Sequence, residues 1–434
     1  MLATMKPVLI FLAIVMAASR SAEGFSIDYR QFEEPVRDMA AEISRASNKH
    51  HHLTNLTTPE MIIANGYPAE IHHVTTEDGY ILELHRIPHG PNETRLPNDQ
   101  RPVVFLHHCL LCSSSDFIMN EPPQKALAYL LADKGYDVWL ANARGNTYSK
   151  NHVNLSSSEE AFWEFSWHEM GYYDLPAAID YALYKTGEKD LNYIGFSMGT
   201  TVFWVLMSER PEYASKVKFM VAMGPVAFVE NMEGPLKYMS WFSSTVMKTL
   251  KLLGRHELFS FGTLMDNLVS FSCDEERWTS AICHNALFLI TGSNPDQLNK
   301  EMLPVILAHT PAGTSARTLY HYLQEVKSGY FRQFDYGTKK NKEVYGQTEP
   351  PSYHLERATP PVALFWSKND WLASPADVLH LLAKLPNVVH VKMIDDDKFT
   401  HLDFIWAIQA DTLLYYPILE LLSKYQDRNG IEAV

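Results

Sequence analysis

The fold is decided by residues 191–199, LNYIGFSMG. The apolar run at the start of this stretch leads into Gly195-Phe196-Ser197-Met198-Gly199, and a helical pattern, Thr200 to Ser208, follows directly. A serine between two such glycines, after a strand and before a helix, is typical of a tight turn that holds the hydroxyl out at the carboxyl edge of a sheet. Glycines are needed because side chains beside the serine would clash there. An ordinary serine N-cap is the alternative reading. The strand before it and the helix after it favour Ser197 as a nucleophile.

Short apolar runs on both sides of this stretch alternate with helical patterns, which indicates βαβ units. Such units build a mostly parallel sheet with both faces covered. Before the serine and just after it, the runs are Val103 to Leu106, Val138 to Ala141, Tyr193 to Phe196 and Phe219 to Met223; near the C-terminus they are Val362 to Trp366 and Val388 to Ile394. Residues Ala69 to Arg86 alternate around Glu77-Asp78-Gly79 and predict an antiparallel hairpin at one sheet edge. Phe404 to Leu422 predicts a closing helix.

The chain divides into five segments. Residues 1–24 predict a signal peptide and 25–57 an N-terminal extension, in which Asp28 to Asn48 is a peripheral helix or linker. Residues 58–225 and 341–434 predict the two parts of an α/β core. Residues 226–340 lack the rhythm of short strands and show helical periodicity, as at Leu319, Tyr322, Leu323 and Val326. We interpret this interruption as an inserted, mainly helical cap and lid.

Activation of the serine hydroxyl requires a histidine base and a carboxylate that holds the histidine in the right tautomer. In this fold the order along the chain is serine, acid, histidine, with the last two on loops after strands. Asp370 follows the run that ends at Trp366, and His401 follows the strand that ends near Ile394. Both positions meet that requirement. A turn aspartate and a surface histidine are the alternative readings.

Rivals exist for both the acid and the base. Asp377 is a second acid, but it follows Pro375 at the start of a helix, where a carboxylate commonly serves the helix dipole. His380 and His390 are among the 19 histidines, and only its place after the last strand sets His401 apart from them.

The tetrahedral intermediate needs two backbone N–H donors, one from the residue after the serine and one from the loop after an early strand. Met198 supplies the first. The second is expected within residues 106–112, LHHCLLC. A reading of these histidines as polar strand-end residues stays open, because the glycine expected in this loop is missing.

Composition limits the partners. The chain has 434 residues, of which 46% are hydrophobic, and 37 basic against 51 acidic residues give a net charge of −14. With no run of five like charges, a nucleic-acid partner is not expected. The apolar stretch Pro7 to Ala18 after Lys6, followed by small residues, is typical of a cleavable secretory signal and is too short for a stable membrane anchor. We expect no transmembrane segment in the mature chain.

In a chain that follows the secretory route, sequons can be glycosylated and cysteines can form disulfides. Three sequons begin at Asn55, Asn92 and Asn154 and predict glycosylation. The chain has 4 cysteines. Cys273 and Cys283 are close in sequence and are our predicted disulfide. Cys109 and Cys112 sit where a turn is expected; a redox or zinc reading of this pair is disfavoured because no second Cys or His pair completes a ligand set.

Beyond these motifs, the chain resembles the acid lipase family of α/β-hydrolases, which includes lysosomal acid lipase and gastric lipase. The resemblance covers nearly the whole mature chain, and the stretches that carry it are residues 59–62 (PEMI), 66–68 (GYP), 76–80 (TEDGY), 142–146 (NARGN), 173–177 (YDLPA), 310–315 (TPAGTS), 369–372 (NDWL) and 401–404 (HLDF). It implies an α/β-hydrolase core, a helical cap with a lid, no metal or cofactor, and hydrolysis of triglycerides or cholesteryl esters at a lipid–water interface. It implies Ser197, Asp370 and His401 as the catalytic residues, with Leu110 and Met198 as oxyanion donors.

Two departures from the family pattern stand out. The family usually has His-Gly-Leu-Leu where this chain has His108-Cys109-Leu110-Leu111, and Gly-His-Ser-Gln-Gly where residues 195–199 read GFSMG. The second change keeps both glycines. The first places a cysteine in the oxyanion loop, where it would strain the backbone if the glycine serves a positive φ, or narrow the acyl pocket if the glycine only makes room.

Two other functions compete with lipid ester hydrolysis. The altered oxyanion loop permits a non-catalytic lipid carrier that keeps the fold, and a carboxylesterase for soluble esters has the same chemistry. Aromatic residues of the cap favour a lipid substrate, although they are equally compatible with ordinary packing. They are Trp241, Phe242, Phe259, Phe261, Phe271 and Phe288.

Overall fold

A computed structural model describes residues 51–91, 101–252, 254–258, 291–292 and 294–427 of the chain. Its strands are β1 (Glu70–Thr75), β2 (Tyr80–Ile87), β3 (Val103–His107), β4 (Asp137–Leu140), β5 (Asn151–His152), β6 (Leu191–Phe196), β7 (Val217–Met223), β8 (Glu257–Leu258), β9 (Thr314–Ser315), β10 (Val362–Trp366) and β11 (Val388–Met393). Its α-helices are α1 (Thr58–Ala64), α2 (Leu127–Asp133), α3 (Trp167–Glu169), α4 (Leu175–Thr186), α5 (Met198–Glu209), α6 (Pro235–Leu252), α7 (Leu303–His309), α8 (Ala316–Ser328), α9 (Thr338–Tyr345), α10 (Pro375–Leu382), α11 (Asp403–Trp406) and α12 (Tyr416–Asp427).

The main sheet has the order β1-β2-β4-β3-β6-β7-β10-β11, with β5 paired to β2. The predicted hairpin is confirmed: β1 and β2 pair antiparallel, with Glu70 opposite Arg86, and β1 is the edge strand. From β4 through β11 the neighbouring strands are parallel. The α/β-hydrolase fold class predicted from the alternating runs is therefore confirmed.

Both faces of the central strands are buried. In β3, Val103 and Phe105 belong to the hydrophobic cluster on one face, while Val104 and Leu106 belong to the cluster on the other. Because successive side chains of a strand point to opposite faces, a strand covered on both sides must be apolar at every position. This is why the strands appear in the sequence as short continuous apolar runs.

The order of the strands determines where a site can form. From β3 the chain passes to β4 on one side and then returns to β6 on the other, so the loops after β3 and β6 separate at the carboxyl edge of the sheet. Open α/β sheets bind their ligands at such a reversal of strand order. The Cys109–Cys112 loop follows β3 and Ser197 follows β6.

The sequence between β7 and β10 interrupts the sheet, since these two strands pair directly with each other. In the described part of this stretch the structure has α6, α7, α8 and α9 together with the short antiparallel pair of β8 and β9. We keep the division of the chain at residues 226 and 340 as a prediction. Residues 1–50, which hold the predicted signal peptide and most of the extension, lie outside the described residues.

The prediction of one closing helix from Phe404 to Leu422 is wrong. Helix α11 ends at Trp406, and after a break a π-helical turn, Asp411–Tyr415, leads into α12. At the break the Ile408 N–H donates to the Gln297 carbonyl (2.8 Å) and the Gln409 N–H to the Gln297 side chain (3.1 Å). Backbone groups that bond to a distant residue cannot also follow the helical pattern, so the helix is interrupted.

Candidate active site

Ser197 occupies the turn between β6 and α5. Its backbone has φ 53° and ψ −114°, an unfavourable region for a residue with a Cβ, at a cost of about 1–3 kcal/mol. Both neighbouring glycines are required by contacts: a Cβ on Gly195 would lie 2.7 Å from the Gly199 backbone, and a Cβ on Gly199 would lie 2.2 Å from the His107 carbonyl oxygen. The glycines therefore allow the strand, the turn and the helix to pack closely enough to expose the hydroxyl at the sheet edge.

The structure brings Ser197, Asp370 and His401 together. The Ser197 hydroxyl lies 2.7 Å from His401 Nε2, and His401 Nδ1 lies 2.8 Å from Asp370 Oδ2. A carboxylate only accepts, so Nδ1–H donates to Asp370 and Nε2 is left to accept from the serine. The three residues come from loops after β6, β10 and β11 and are 7%, 2% and 2% exposed. In this arrangement the imidazole is oriented to remove the serine proton.

Asp370 is fixed by the backbone of its own loop. Its Oδ1 accepts hydrogen bonds from the N–H groups of Leu372 (2.9 Å) and Ala373 (2.8 Å), which leaves Oδ2 for His401. His380, the rival candidate for the base, does not take this place: its ring stacks on Phe228, with ring centroids 3.9 Å apart.

The loop that carries His401 is held on two sides. The Phe196 ring lies 5.0 Å from the imidazole centroid. Asp403, two residues further on, accepts hydrogen bonds from the Thr400 N–H (2.7 Å) and from the Asn294 amide (3.0 Å). Burial raises the pKa of Asp403 to about 6. These contacts fix the backbone on both sides of the histidine.

The proposed oxyanion donors follow two neighbouring parallel strands, β3 and β6. Met198 is the first residue of α5, and Leu110 is in the turn after β3. Within the described ranges, neither the Met198 N–H nor the Leu110 N–H donates to a protein acceptor. Both donors are therefore available to a ligand oxygen.

The turn that contains Leu110 differs from expectation in two ways. Cys109 and Cys112 form a disulfide, which the sequence analysis did not predict. Cys109 is not in the left-handed region, so the idea that cysteine strains the position of the family glycine is not supported; the residue with φ 64° is Leu111. The predicted partners Cys273 and Cys283 lie outside the described residues, so that pairing stays a prediction.

The two histidines before this turn hold its backbone. His107 Nδ1–H donates to the His108 carbonyl (3.2 Å), and His108 Nδ1–H donates to the Cys109 carbonyl (2.7 Å), while His108 Nε2 accepts from the Ala143 N–H (3.0 Å). Burial lowers the pKa of His107 to about 3 and that of His108 to about 4. Both are thus neutral hydrogen-bonding groups near pH 7. The loop contacts favour an organising role over that of polar strand-end residues.

Arg144, which no sequence pattern singles out, is 1% exposed. Its guanidinium donates to both Asp78 oxygens (2.6 and 2.9 Å) and twice to Asp174 Oδ1 (2.6 and 2.8 Å), and it lies 4.0 Å from the centroid of the Tyr80 ring. The arginine therefore ties the hairpin turn to the start of α4. The sequence signal for this cluster is that Asp78, Arg144 and Asp174 each lie in a stretch that resembles the acid lipase family.

The remaining predicted residues fall on the surface or outside the description. Asn55 and Asn154 are exposed, and Asn92 is not among the described residues. Of the cap aromatics, Trp241 is 59% exposed and Phe242 is half-buried. Outside the description are Phe259, Phe261, Phe271 and Phe288.

In the described part of the chain, no helix has the length and apolar character needed to cross a membrane. Nor does this part of the chain contain a group of three or more His, Cys, Asp or Glu side chains arranged to hold a metal ion.

Comparisons with known proteins agree with the fold and the site geometry. The family model described as "Partial alpha/beta-hydrolase lipase region" matches residues 58–121, and the one described as "alpha/beta hydrolase fold" matches 102–408. Lipase lipl-1 of Caenorhabditis elegans is 44% identical over 378 residues, covering 85% of this chain and 91% of the relative. Gastric triacylglycerol lipase of Homo sapiens is 40% identical over 369 residues, covering 84% and 90%.

A solved structure from Sulfolobus solfataricus, described as a candidate lipase, matches with a TM-score of 0.53. It covers 83% of this chain and 95% of that chain at 13% identity. At this identity the match supports the fold alone.

Proposed function

This chain belongs to the alpha/beta-hydrolase family of lipases, and we propose that it hydrolyses carboxylic esters of lipids, of the triacylglycerol or cholesteryl ester type, through an acyl-enzyme on Ser197. The observation that carries the proposal is the chain of hydrogen bonds from Ser197 Oγ to His401 Nε2 and from His401 Nδ1 to Asp370.

The chemistry follows from this arrangement. His401 takes the Ser197 proton as Oγ attacks the ester carbonyl, and Asp370 stabilises the imidazolium that forms. The negative charge on the carbonyl oxygen is bound by the N–H groups of Leu110 and Met198. His401 then gives its proton to the leaving alcohol. A water molecule, deprotonated by the same histidine, attacks the acyl-serine; as the bond to Oγ breaks, His401 returns that proton to Ser197 and the fatty acid is released.

A lipid–water interface is the expected place of action. Trp241 on α6 is 59% exposed and Tyr238, one turn away, is 38% exposed, with ring centroids 5.5 Å apart. Exposed paired aromatic rings on the inserted segment suit contact with an apolar phase. This favours a lipase over an esterase for soluble substrates.

A secretory route is supported by exposed sequons and by a buried disulfide. The sequon residues Asn55 and Asn154 are both exposed, and Cys109 and Cys112 are joined in a disulfide, a bond that persists in oxidising compartments. The apolar N-terminal stretch matches a secretory signal. These features together support our proposal of a lumenal or extracellular destination, either lysosomal or secreted. Loss of apparent mass after treatment with an N-glycosidase checks it.

The experiment that tests the function measures hydrolysis of a triacylglycerol emulsion, a cholesteryl ester emulsion and a monomeric short-chain ester by the purified chain. A lipase turns over at least one emulsion, with a rate that rises once substrate exceeds its solubility. Turnover of the monomeric ester alone identifies a carboxylesterase. Binding of the lipids with no turnover of any ester identifies a carrier and refutes the proposal.

A further inference from the structure

The Leu110 N–H lies within a small covalent ring. Residues 109–112 form a turn whose ends are joined by the Cys109–Cys112 disulfide, with Cα atoms 5.1 Å apart. The two cysteines are 4% and 1% exposed, so the disulfide itself is buried, while Leu110 and Leu111 between them are half-buried.

This turn has a backbone conformation that leucine disfavours. The Cys112 N–H donates to the Cys109 carbonyl (3.2 Å), and Leu111, the third residue of the turn, has φ 64°. A positive φ at this position is what a type II turn requires, and glycine or asparagine usually supplies it. Leucine at φ 64° favours opening of the turn, because its Cβ crowds the backbone. A covalent link between the first and fourth residues opposes that opening.

Closure of the turn determines the direction of the Leu110 N–H. The Cys109 carbonyl and the Leu110 N–H belong to one planar peptide unit, so fixing the carbonyl fixes the N–H. The carbonyl accepts two hydrogen bonds, from His108 Nδ1–H (2.7 Å) and from the Cys112 N–H (3.2 Å). The second of these exists only while the turn is closed.

On the far side, the Leu111 carbonyl accepts from the Ala312 N–H (2.6 Å). This bond anchors the turn to the segment before β9. It restrains the carbonyl of Leu111 but does not hold the Cys109–Leu110 peptide, which keeps only the hydrogen bond from His108 if the ring is opened.

We propose that the Cys109–Cys112 disulfide is a positioning element of the reaction: it holds the Leu110 N–H toward the carbonyl oxygen of the ester as negative charge develops there. The proposal rests on the proposed function. An N–H stabilises that charge only if it already points at it, so an open ring lowers kcat more than it changes KM. Cys109 thus helps to keep the turn closed through its bond to Cys112, at a position where the family pattern has a glycine.

The test begins with the thiols. When denatured, unreduced enzyme is treated with iodoacetamide, Cys109 and Cys112 should remain unalkylated, and both should react after reduction. If both cysteines are alkylated without reduction, in a preparation that was fully active before it was denatured, the proposal is overturned.

Kinetics then separate positioning from packing. Cys109→Ala, Cys112→Ala and the double variant each open the same ring, so we expect all three to lose a similar factor in kcat, about tenfold to a hundredfold, with KM changed by less than about threefold. Ile179→Val, which trims a fully buried side chain on α4, is the matched control and should lower stability without lowering kcat. Independent packing effects would instead multiply in the double variant.

A rescue variant provides a readout that a packing role does not move. Glycine adopts φ 64° without strain, so Leu111→Gly in the Cys112→Ala background should recover part of the lost kcat by favouring the closed turn. The proposal is overturned if the wild type is active and the cysteine variants keep its kcat, or if they lose kcat and Leu111→Gly restores none of it. Absence of ester turnover in the wild type would instead refute the proposed function itself.

Discussion

Asp377 accepts two hydrogen bonds from Asn231, one from the backbone N–H and one from the side-chain amide, both 2.9 Å long. Its Oδ2 also accepts from the Ser374 hydroxyl (2.9 Å) at the start of α10. The rival acid therefore ties the chain after β7 to the N-terminus of α10, and Asp370 alone of the two carboxylates contacts His401.

The two aspartates should respond differently to the same substitution. We expect Asp370→Asn to lower kcat on the order of a thousandfold or more, because an amide can stabilise the wrong imidazole tautomer and cannot offset the imidazolium charge. Asp377→Asn should keep kcat within about threefold and lower the free energy of unfolding by about 1–2 kcal/mol. Steady-state hydrolysis and urea unfolding of both variants check this. Equal losses of kcat in two folded variants would remove the reason for assigning the acid to Asp370.

Arg144 should be far more important for stability than any surface cation. Arg144→Leu leaves the buried Asp174 carboxylate without its partner, and removal of one member of a buried ion pair costs about 3–5 kcal/mol. Lys216→Leu, at a solvent-exposed pair with Asp180, is the control and should cost about 0–1 kcal/mol. Urea denaturation measures both. A similar small loss at both positions would contradict the structural role given to Arg144.

Asp116 should make stability depend on pH. Burial raises its pKa to about 7, while hydrogen bonds from the Ser113 N–H (2.7 Å) and the Thr310 hydroxyl (3.1 Å) act in the opposite direction. Between pH 4 and 7 the folded state keeps this proton and the unfolded state loses it, so this residue's contribution to stability falls as pH rises.

Substitution by asparagine isolates that contribution. Asparagine copies the protonated acid, since its oxygen accepts from Ser113 and its amide donates to Thr310, but it cannot ionise. The Asp116→Asn variant should therefore gain stability relative to the wild type as pH is raised from 4 to 8 in urea unfolding. Asp397→Asn, at an exposed carboxylate, controls for the loss of a charge. Parallel curves for the wild type and Asp116→Asn would contradict the account.

The interface assignment predicts a substrate-selective effect. Trp241→Ser should lower turnover of an emulsion severalfold and leave turnover of a monomeric ester unchanged, because the indole contacts the lipid phase rather than the reacting ester. Tyr184, also strongly exposed, is near the C-terminal end of α4 just before β6 begins, and so lies at the sheet edge opposite Ser197. Tyr184→Ser is the matched control and should affect neither substrate. Equal effects of the two variants on the emulsion would argue against α6 as the contact surface.

Local patterns predicted the sheet because burial on both faces leaves a direct trace in the sequence. Val362 to Trp366 is both the predicted run and the observed strand, and Phe219 to Met223 lies within β7. The same logic placed Ser197, Asp370 and His401 at strand ends, where the structure brings their side chains into contact.

Two kinds of feature are not visible in the sequence patterns: contacts between distant residues, and the geometry of a short turn. The closing helix breaks because Gln297, more than a hundred residues earlier in the chain, binds the backbone at Ile408 and Gln409. The disulfide was assigned to Cys273 and Cys283 alone because spacing says nothing about whether the turn at Cys109 brings its ends together. The partners of Arg144 were likewise invisible, since Asp78 and Asp174 lie on either side of it at large separations in sequence.

The central claim is that Ser197 is a nucleophile activated by His401 and Asp370, and labelling with a fluorophosphonate tests it most directly. The reagent phosphonylates an activated serine, and peptide mass analysis locates the product. We predict one label per chain, on Ser197, in step with loss of ester hydrolysis, and no label on a folded Ser197→Ala variant, which should also lose nearly all turnover. Labelling at another residue, or near-wild-type hydrolysis by Ser197→Ala, would contradict the account.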